Sequence, residues 1–177
     1  GVSTSQVTGD NLAGFRKAGV LFGVFANRNI STLLSIQMEM NYVQKGSNNP
    51  NMNDIGHPDF TREDISSSYI EIPLLLQYHQ SEKIKIEAGV LTGYLIDAYY
   101  NDLNGRIPSK ENPFINYDIG VLIGLDYKYA SNISLNTRIS NSILPIGVED
   151  YNNQNIYNTS TKGKYNSVLI FSLHYNF

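Results

Sequence analysis

Apolar and polar side chains alternate along most of the chain with a period of two residues. In the clearest stretch, 115–129, one face is entirely apolar or aromatic, while the other carries Asn, Asp, Gly and Lys around a single Leu. Because successive side chains of a strand point to opposite faces, this pattern predicts a strand with one apolar face. The same reasoning predicts eight strands: 1–8, 16–27, 31–45, 67–80, 83–99, 114–130, 132–145 and 164–177.

Short and long connections alternate strictly between these strands. The tight turns are at 27–29, 80–82 and 130–132, and the long polar connections are 46–66, 100–113 and 146–163. Up-and-down outer-membrane barrels have short periplasmic turns at one rim and long extracellular loops at the other. We therefore predict an all-β fold, an eight-stranded antiparallel up-and-down transmembrane β-barrel, as one domain over 1–177. The opening segment reads as part of a strand, so the first strand is expected to be short.

Aromatic spacing indicates that the apolar face points outward. Tyr117 and Tyr127 lie ten residues apart on that face, and Tyr165 and Tyr175 repeat the spacing. Ten residues rise roughly 33 Å, and at a tilt of about 40° they cover roughly 25 Å of the membrane normal, the height of the band between aromatic girdles. The predicted lipid-facing girdle is Tyr42, Tyr78, Tyr94, Tyr117, Tyr127, Tyr165, Tyr175 and Phe177.

The opposite face suits a crowded polar lumen better than a solvated surface. It mixes charges of both signs with glycines four residues apart, as at Gly89/Gly93 and Gly120/Gly124, which leave room for long side chains and ease curvature. A soluble lipocalin-like barrel, with its apolar face turned inward around a ligand, is the alternative architecture.

Composition narrows the class of protein further. Charged residues make up 16% of the 177 residues, against about a quarter in soluble domains. The net charge of −3 gives no basic field that would attract nucleic acid. No apolar run approaches the ~18 residues of a membrane helix. These features fit a protein of the bacterial outer membrane whose first partner is outer-membrane lipid.

Two segments, EMNYVQKG (39–46) and YIEIPLLLQY (69–78), resemble the PorT-like outer-membrane barrel family of Bacteroidetes-type bacteria. In that family, a strand with Glu-x-x-Tyr-x-x-Lys-Gly enters a long loop and a Tyr-Leu-Glu-Ile-Pro strand follows; here Ile70 replaces the Leu. The opening GVSTSQVTGD and the aromatic C-terminus also fit. The resemblance implies an outer-membrane barrel, and the family takes its name from a member linked to protein secretion. It supplies no catalytic residue.

The candidate chemistry of single residues is sparse. His57 lies in a predicted loop with Asp54, Asp59 and Asp64, a donor set that can bind a divalent ion, but we favour the simpler interpretation of a polar extracellular loop. A hydrolase would need a base beside a nucleophile, and the serines at 66–68 lie in no strained elbow. We expect no enzyme activity, no cofactor and no metal.

Charged residues on the inward face predict an ionic network that closes the lumen. Ranked by residue count from the periplasmic strand ends, Lys17, Glu39, Glu71 and Arg138 converge near mid-height, with Arg138 as the hub. A second layer nearer the periplasm would contain Lys85, Glu87, Asp126, Lys128 and His174.

A closed lumen points to a non-catalytic binding or accessory protein of a larger membrane complex. The family resemblance implies an envelope or secretion complex, with other envelope proteins as partners. A small outer-membrane pore and the soluble barrel are the alternatives.

Overall fold

The computed structural model describes residues 1–8, 17–48, 64–102, 105–107, 115–148 and 163–177. Eight long strands form the barrel wall, and two short ones, β6 (Gly105–Ile107) and β9 (Gly147–Val148), lie in segments predicted to be loops. The wall strands are β1 (Val2–Thr8), β2 (Lys17–Asn29), β3 (Leu34–Asn48), β4 (Asp64–His79), β5 (Ile84–Asp102), β7 (Tyr117–Lys128), β8 (Ile133–Ser142) and β10 (Gly163–Tyr175).

The wall is a closed, all-antiparallel sheet. Each long strand pairs with its neighbours in sequence, and β1 pairs with β10 from Val2 opposite Phe171 to Thr8 opposite Tyr165. This is the predicted eight-stranded barrel. Closure removes the free sheet edges that a membrane interior does not tolerate.

The register around the barrel sets the tilt of the strands. Thr4 on β1 pairs directly with Ala18 on β2. When the paired residues are traced from Thr4 in the other direction, through β10, β8, β7, β5, β4 and β3, the path reaches β2 at Arg28, ten residues beyond Ala18. A shear of ten over eight strands corresponds to a tilt of about 40° at ~3.3 Å rise and ~4.8 Å strand spacing. That tilt lies in the range of transmembrane barrels.

The strands are longer than predicted at several ends. The first tight turn is at 30–33 rather than 27–29, because Asn27 is a strand residue whose side chain donates to Gln37 Oε1 (2.9 Å) and Gln77 Oε1 (2.7 Å). Polar residues that face the lumen can therefore be mistaken for a turn in the sequence. In the turn itself, Ser31 Oγ accepts hydrogen bonds from the backbone N–H groups of Leu33 and Leu34.

Pro73 lies within the β4 ladder. The paired residues of β3 and β4 stop at Met38–Leu74 and resume, in the same register, at Asn41–Glu71. Proline has no N–H to donate, so the interruption at this position has a direct cause. Within the described ranges, no helix is long and apolar enough to cross a membrane.

Candidate functional site

The predicted girdle residues lie on the outer wall at two levels, near the two ends of the strands. Tyr94 and Tyr117 are directly paired across β5 and β7, with ring centroids 5.4 Å apart. At the other end, Tyr175 and Phe177 form an edge-to-face pair at 5.1 Å. Tyr78, Tyr94, Tyr117, Tyr127, Tyr175 and Phe177 are exposed, and Tyr42 and Tyr165 are half-buried.

Further exposed aromatic side chains of the outer wall, among them Phe22, Tyr129 and Phe171, were not in the predicted girdle. Phe22 stacks on Tyr42 at 5.0 Å, and Tyr129 is exposed just beyond the end of β7. The parity of Tyr129 with Tyr127 was the available signal. Between the two aromatic levels, the outer wall carries exposed Ile, Leu, Val and Met side chains.

Inside the barrel, Arg138 on β8 joins two carboxylates that come from two other strands of the wall, β3 and β5. Its Nη1 and Nη2 donate to the two oxygens of Glu39 on β3, both at 2.7 Å. Its Nε donates to Glu87 Oε1 on β5 at 2.5 Å, and Nη2 also reaches Glu87 Oε2 at 3.3 Å. All three side chains are at least 95% buried. The bidentate fork fixes both the distance and the orientation of the two acids.

Neutral amides complete the coordination of both carboxylates. Glu39 accepts from Gln37 Nε2 (2.5 Å) and Asn41 Nδ2 (2.8 Å). Glu87 accepts from Gln77 Nε2 (3.1 Å) and Asn136 Nδ2 (2.9 Å). We call Arg138, Glu39, Glu87 and these four amides the arginine cluster.

A second buried cluster lies nearer the opposite rim. Lys45 on β3 forms ion pairs with Glu71 on β4 and with Asp118 on β7, the latter at 2.9 Å. Asp118 also accepts hydrogen bonds from Ser142 Oγ (2.7 Å) and Asn166 Nδ2 (3.0 Å). The Lys45 ammonium lies 4.9 Å from the centroid of the buried Tyr69 ring. We call these six residues the lysine cluster.

The single predicted network is therefore divided in two. The structure brings Arg138 and Glu39 together, but it pairs Glu71 with Lys45, which was not among the predicted residues. The prediction ranked residues by counts from the strand ends, and the tilt displaces such counts from one strand to the next. Lys45 shares the inward parity of Glu39, which was the signal that could have found it.

Lys17 does not share the level of the arginine cluster. Glu39 pairs in register with Phe25 on β2, and Lys17 lies eight residues further along that strand, roughly 26 Å away at ~3.3 Å per residue. Its backbone oxygen is 3.5 Å from Ser5 Oγ. The expectation that Lys17 joins Arg138 is wrong for this reason.

The predicted second layer also has different members. Glu87 belongs to the arginine cluster, whereas His174 Nδ1 lies 3.6 Å from Asp126 Oδ2 as a separate pair. Lys85 is half-buried at the start of β5, and Lys128 is exposed at the end of β7.

An apolar layer separates the two clusters. Val43 lies between Glu39 and Lys45 along β3, and Leu122 lies between Asp118 and Asp126 along β7. The inward side chains at this level are almost completely buried: Val43, Leu91, Leu122, Val168 and Ile170. Side chains fill the lumen of a barrel of eight strands, and here they do so in polar, apolar and polar layers.

Some candidate residues fall outside the described part of the chain. His57, Asp54 and Asp59 lie there, and the side chain of Asp64 does as well. Among described residues, no group of three His, Cys, Asp or Glu side chains could hold a metal ion. Ser67 faces inward and donates to the Lys45 carbonyl oxygen (3.3 Å), while Ser68 Oγ accepts from Tyr42 on the outer wall (3.1 Å).

The family model described as "Outer membrane protein beta-barrel domain" matches residues 2–146. Since this is most of the chain, the protein belongs to that family and is a protein of the bacterial outer membrane. No curated protein matches the sequence.

Solved structures agree on the fold. The attachment invasion locus protein Ail of Yersinia pestis superposes with a TM-score of 0.51 at 8% identity, covering 99% of this chain and 93% of Ail. A second structure of Ail, in complex with the heparin analogue sucrose octasulfate, gives 0.52 at 10% identity, with 99% and 94% covered. At this identity the likeness concerns the fold alone.

Proposed function

We propose that the chain is a non-catalytic outer-membrane protein that acts through its loops or its lipid-facing wall, as a binding or accessory subunit of an envelope complex. The observation that carries this proposal is the layered lumen. Two paired ionic clusters and the apolar layer between them occupy the interior, so a solute would have to displace buried, hydrogen-bonded charges in order to pass.

The PorT-like group of Bacteroidetes-type bacteria is the subgroup that we propose, with an accessory role in protein secretion. The motifs that end β3 and run through β4 support it, since Lys45 and Glu71 from those motifs form one buried ion pair. The whole chain would then act as a single barrel domain embedded in lipid. Ail, with the same fold, takes a heparin analogue as a ligand, which supports binding as a task that such a barrel can carry.

The test is to ask whether the protein migrates in a larger complex in native membranes. Mild detergent extraction and native electrophoresis should give a species heavier than the barrel and its micelle. Replacing residues 49–63 with a short Gly-Ser connection is the diagnostic variant, and replacing the tight turn at 130–132 is its matched control. The proposal fails if the native protein runs only as a single barrel. If both replacements leave the larger species intact, the 49–63 segment is excluded as the contact, and the lipid-facing wall is tested next by the same assay.

A small pore is the competing function, and conductance measurements in planar bilayers distinguish it from the binding or accessory function. The native barrel should show no steady conductance, because the apolar layer and both clusters close the same passage. A stable open channel would establish the pore and remove the proposal above.

A further inference from the structure

Asn141 is an amide on the outer wall of the barrel. It is exposed on β8 and pairs in register with Val121 on β7, which is exposed on the same wall. Asn141 Oδ1 accepts a hydrogen bond from Ser167 Oγ on β10 (2.7 Å). Its Nδ2 has no hydrogen-bond acceptor among the described residues. The two N–H donors of this amide are therefore left over on the surface that faces lipid.

The register places Asn141 inside the hydrocarbon layer. Because the traced path reaches β2 at its periplasmic end, each step in the direction from β8 to β7 descends toward the periplasm. At a tilt of about 40°, one residue along a strand changes the height by ~2.5 Å and one step between strands by ~3 Å. Val121 lies four residues below Tyr117 and six above Tyr127. Asn141 is then ~7 Å below the height of Tyr117 and ~18 Å above that of Tyr127.

At this depth an amide with free donors needs a partner. Hydrocarbon offers no acceptor, and an amide that leaves water without forming hydrogen bonds is destabilised. Gln44 on β3 shows how the barrel meets this need elsewhere, because its Nε2 donates to Tyr42 Oη at 3.2 Å. Gln44 lies on the opposite side of the barrel, four strands from Asn141 in either direction, and within about 3 Å of the same height. For Asn141 the acceptor has to come from another molecule.

The chemistry of the amide points to a second copy of the same chain. Copies inserted in one membrane have the same orientation, so the twofold axis of a pair runs along the membrane normal, and a residue on that axis meets its own counterpart at the same height. Asparagine is self-complementary in this position, because each Nδ2 can donate to the other Oδ1. The Oδ1 of Asn141 accepts one bond from Ser167 and keeps a second lone pair for this purpose.

The side chains around Asn141 allow two walls to approach each other closely. Ser167 beside it and Thr137 below it on β8 are short. Ile139 and Ile143, its outward neighbours along the same strand, are exposed and apolar. In membranes, small residues let the backbones of two proteins come close, and polar side chains then hydrogen-bond across the interface.

We propose that the outer wall of β8 and β10 is the interface of a homodimer in the membrane, with Asn141 on the twofold axis and paired with Asn141 of the second copy. The dimer requires only that this wall faces lipid. It does not depend on an envelope partner or on the loops, so it can fail while the proposed binding or accessory function holds, and the reverse is also true.

Dimerisation is measured on the purified protein in phosphatidylcholine vesicles. Ser131→Cys, in a tight turn, carries donor and acceptor dyes on separate copies, and energy transfer is followed as lipid is added to dilute the protein. We expect dimers, and a dissociation constant that rises by about threefold or more in Asn141→Leu, because the hydrogen bonds across the interface are lost. The Asn141→Leu barrel should still fold, as judged by its gel shift. Gln44→Leu is the matched control and should leave the dissociation constant unchanged.

Cross-linking identifies what covers Asn141 in native outer membranes. The chain contains no cysteine, so a single cysteine reports one position. With a short lipid-soluble thiol cross-linker, Asn141→Cys should give a species of two copies, whereas Gln44→Cys should stay monomeric. Energy transfer no greater than that of randomly distributed monomers would overturn the proposal, and so would a dimer unaffected by Asn141→Leu. Coupling of Asn141→Cys only to a different protein would also overturn it, because that protein would then be the partner of the amide.

Discussion

Arg138 is the lumen residue whose removal tests the closed interior most directly. Arg138→Met keeps an unbranched side chain of similar length and removes the charge. The guanidinium now makes four hydrogen bonds to Glu39 and Glu87. Without it, two buried carboxylates share one cavity with no cation between them, and they repel each other at low effective dielectric constant.

The loss of stability in Arg138→Met is limited, because other hydrogen-bond donors remain around Glu39 and Glu87. Four charge-assisted hydrogen bonds at ~1.5–3 kcal/mol each would set an upper bound near 6–12 kcal/mol. However, Glu39 keeps Gln37 and Asn41, Glu87 keeps its own two amide donors, and a carboxyl group can take up a proton. We therefore expect the free energy of unfolding to fall by about 3–5 kcal/mol, as for other broken buried pairs.

Urea unfolding in detergent micelles, followed by the gel shift between folded and unfolded barrel, measures this difference. The triple variant Arg138→Met, Glu39→Gln, Glu87→Gln should recover most of the loss, because it leaves no unpaired charge. Lys128→Met is the control for removing an exposed positive charge. A loss below about 1 kcal/mol for Arg138→Met would show that the carboxylates are solvated by water, and the closed-lumen argument would then fail.

Lys45→Met should lower the free energy of unfolding by a similar ~3–5 kcal/mol, and converting its two acidic partners to amides should restore it in the same urea titration. Ile123→Cys and Leu169→Cys, on the outer wall, should be shielded from water-soluble thiol reagents in intact membranes and react with lipid-soluble ones; ready labelling of both by the former would contradict the membrane orientation. Gly124→Ala should cost about 1–3 kcal/mol, because the new Cβ would lie 2.7 Å from atoms of the arginine cluster. Gly93→Ala, whose Cβ would meet its nearest atoms at 3.4 Å, should change stability by less than about 1 kcal/mol; equal effects of the two glycine variants would refute this steric reasoning.

Period-two alternation was sufficient to predict the strands and which face of each is buried, since parity along a strand is fixed by backbone geometry. It placed all eight girdle residues on the outer face of the wall. The relative heights of residues on different strands depend on tilt and register, which a single sequence does not display. This is why Glu39 could be assigned to Arg138 while Glu71 was assigned to the wrong cation.

The ends of the wall strands, like the relative heights of their residues, are not determined by the alternation pattern. β4 and β5 extend into the predicted loops as far as Asp64 and Asp102, where polar residues predominate and no apolar face continues. A strand that leaves the hydrocarbon needs no apolar face, so the alternation that marks a membrane strand disappears while the ladder continues. Sequence pattern therefore reports the membrane-embedded part of a strand rather than its full length.

Both lumen clusters hold two carboxylates for each cation, which explains the high Asn, Gln and Ser content of the inward face. A narrow eight-stranded lumen has little room for additional long basic side chains. Short neutral donors compensate instead: amides surround Glu39 and Glu87, and Ser142 and Asn166 donate to Asp118. Glu39, Glu87 and Asp118 are then held by fixed dipoles as well as by a cation, and hydrogen-bonded networks of this kind rigidify a protein interior. The side chains that could guide a solute are engaged with one another, which favours the loops and the outer wall as the surfaces on which this protein acts.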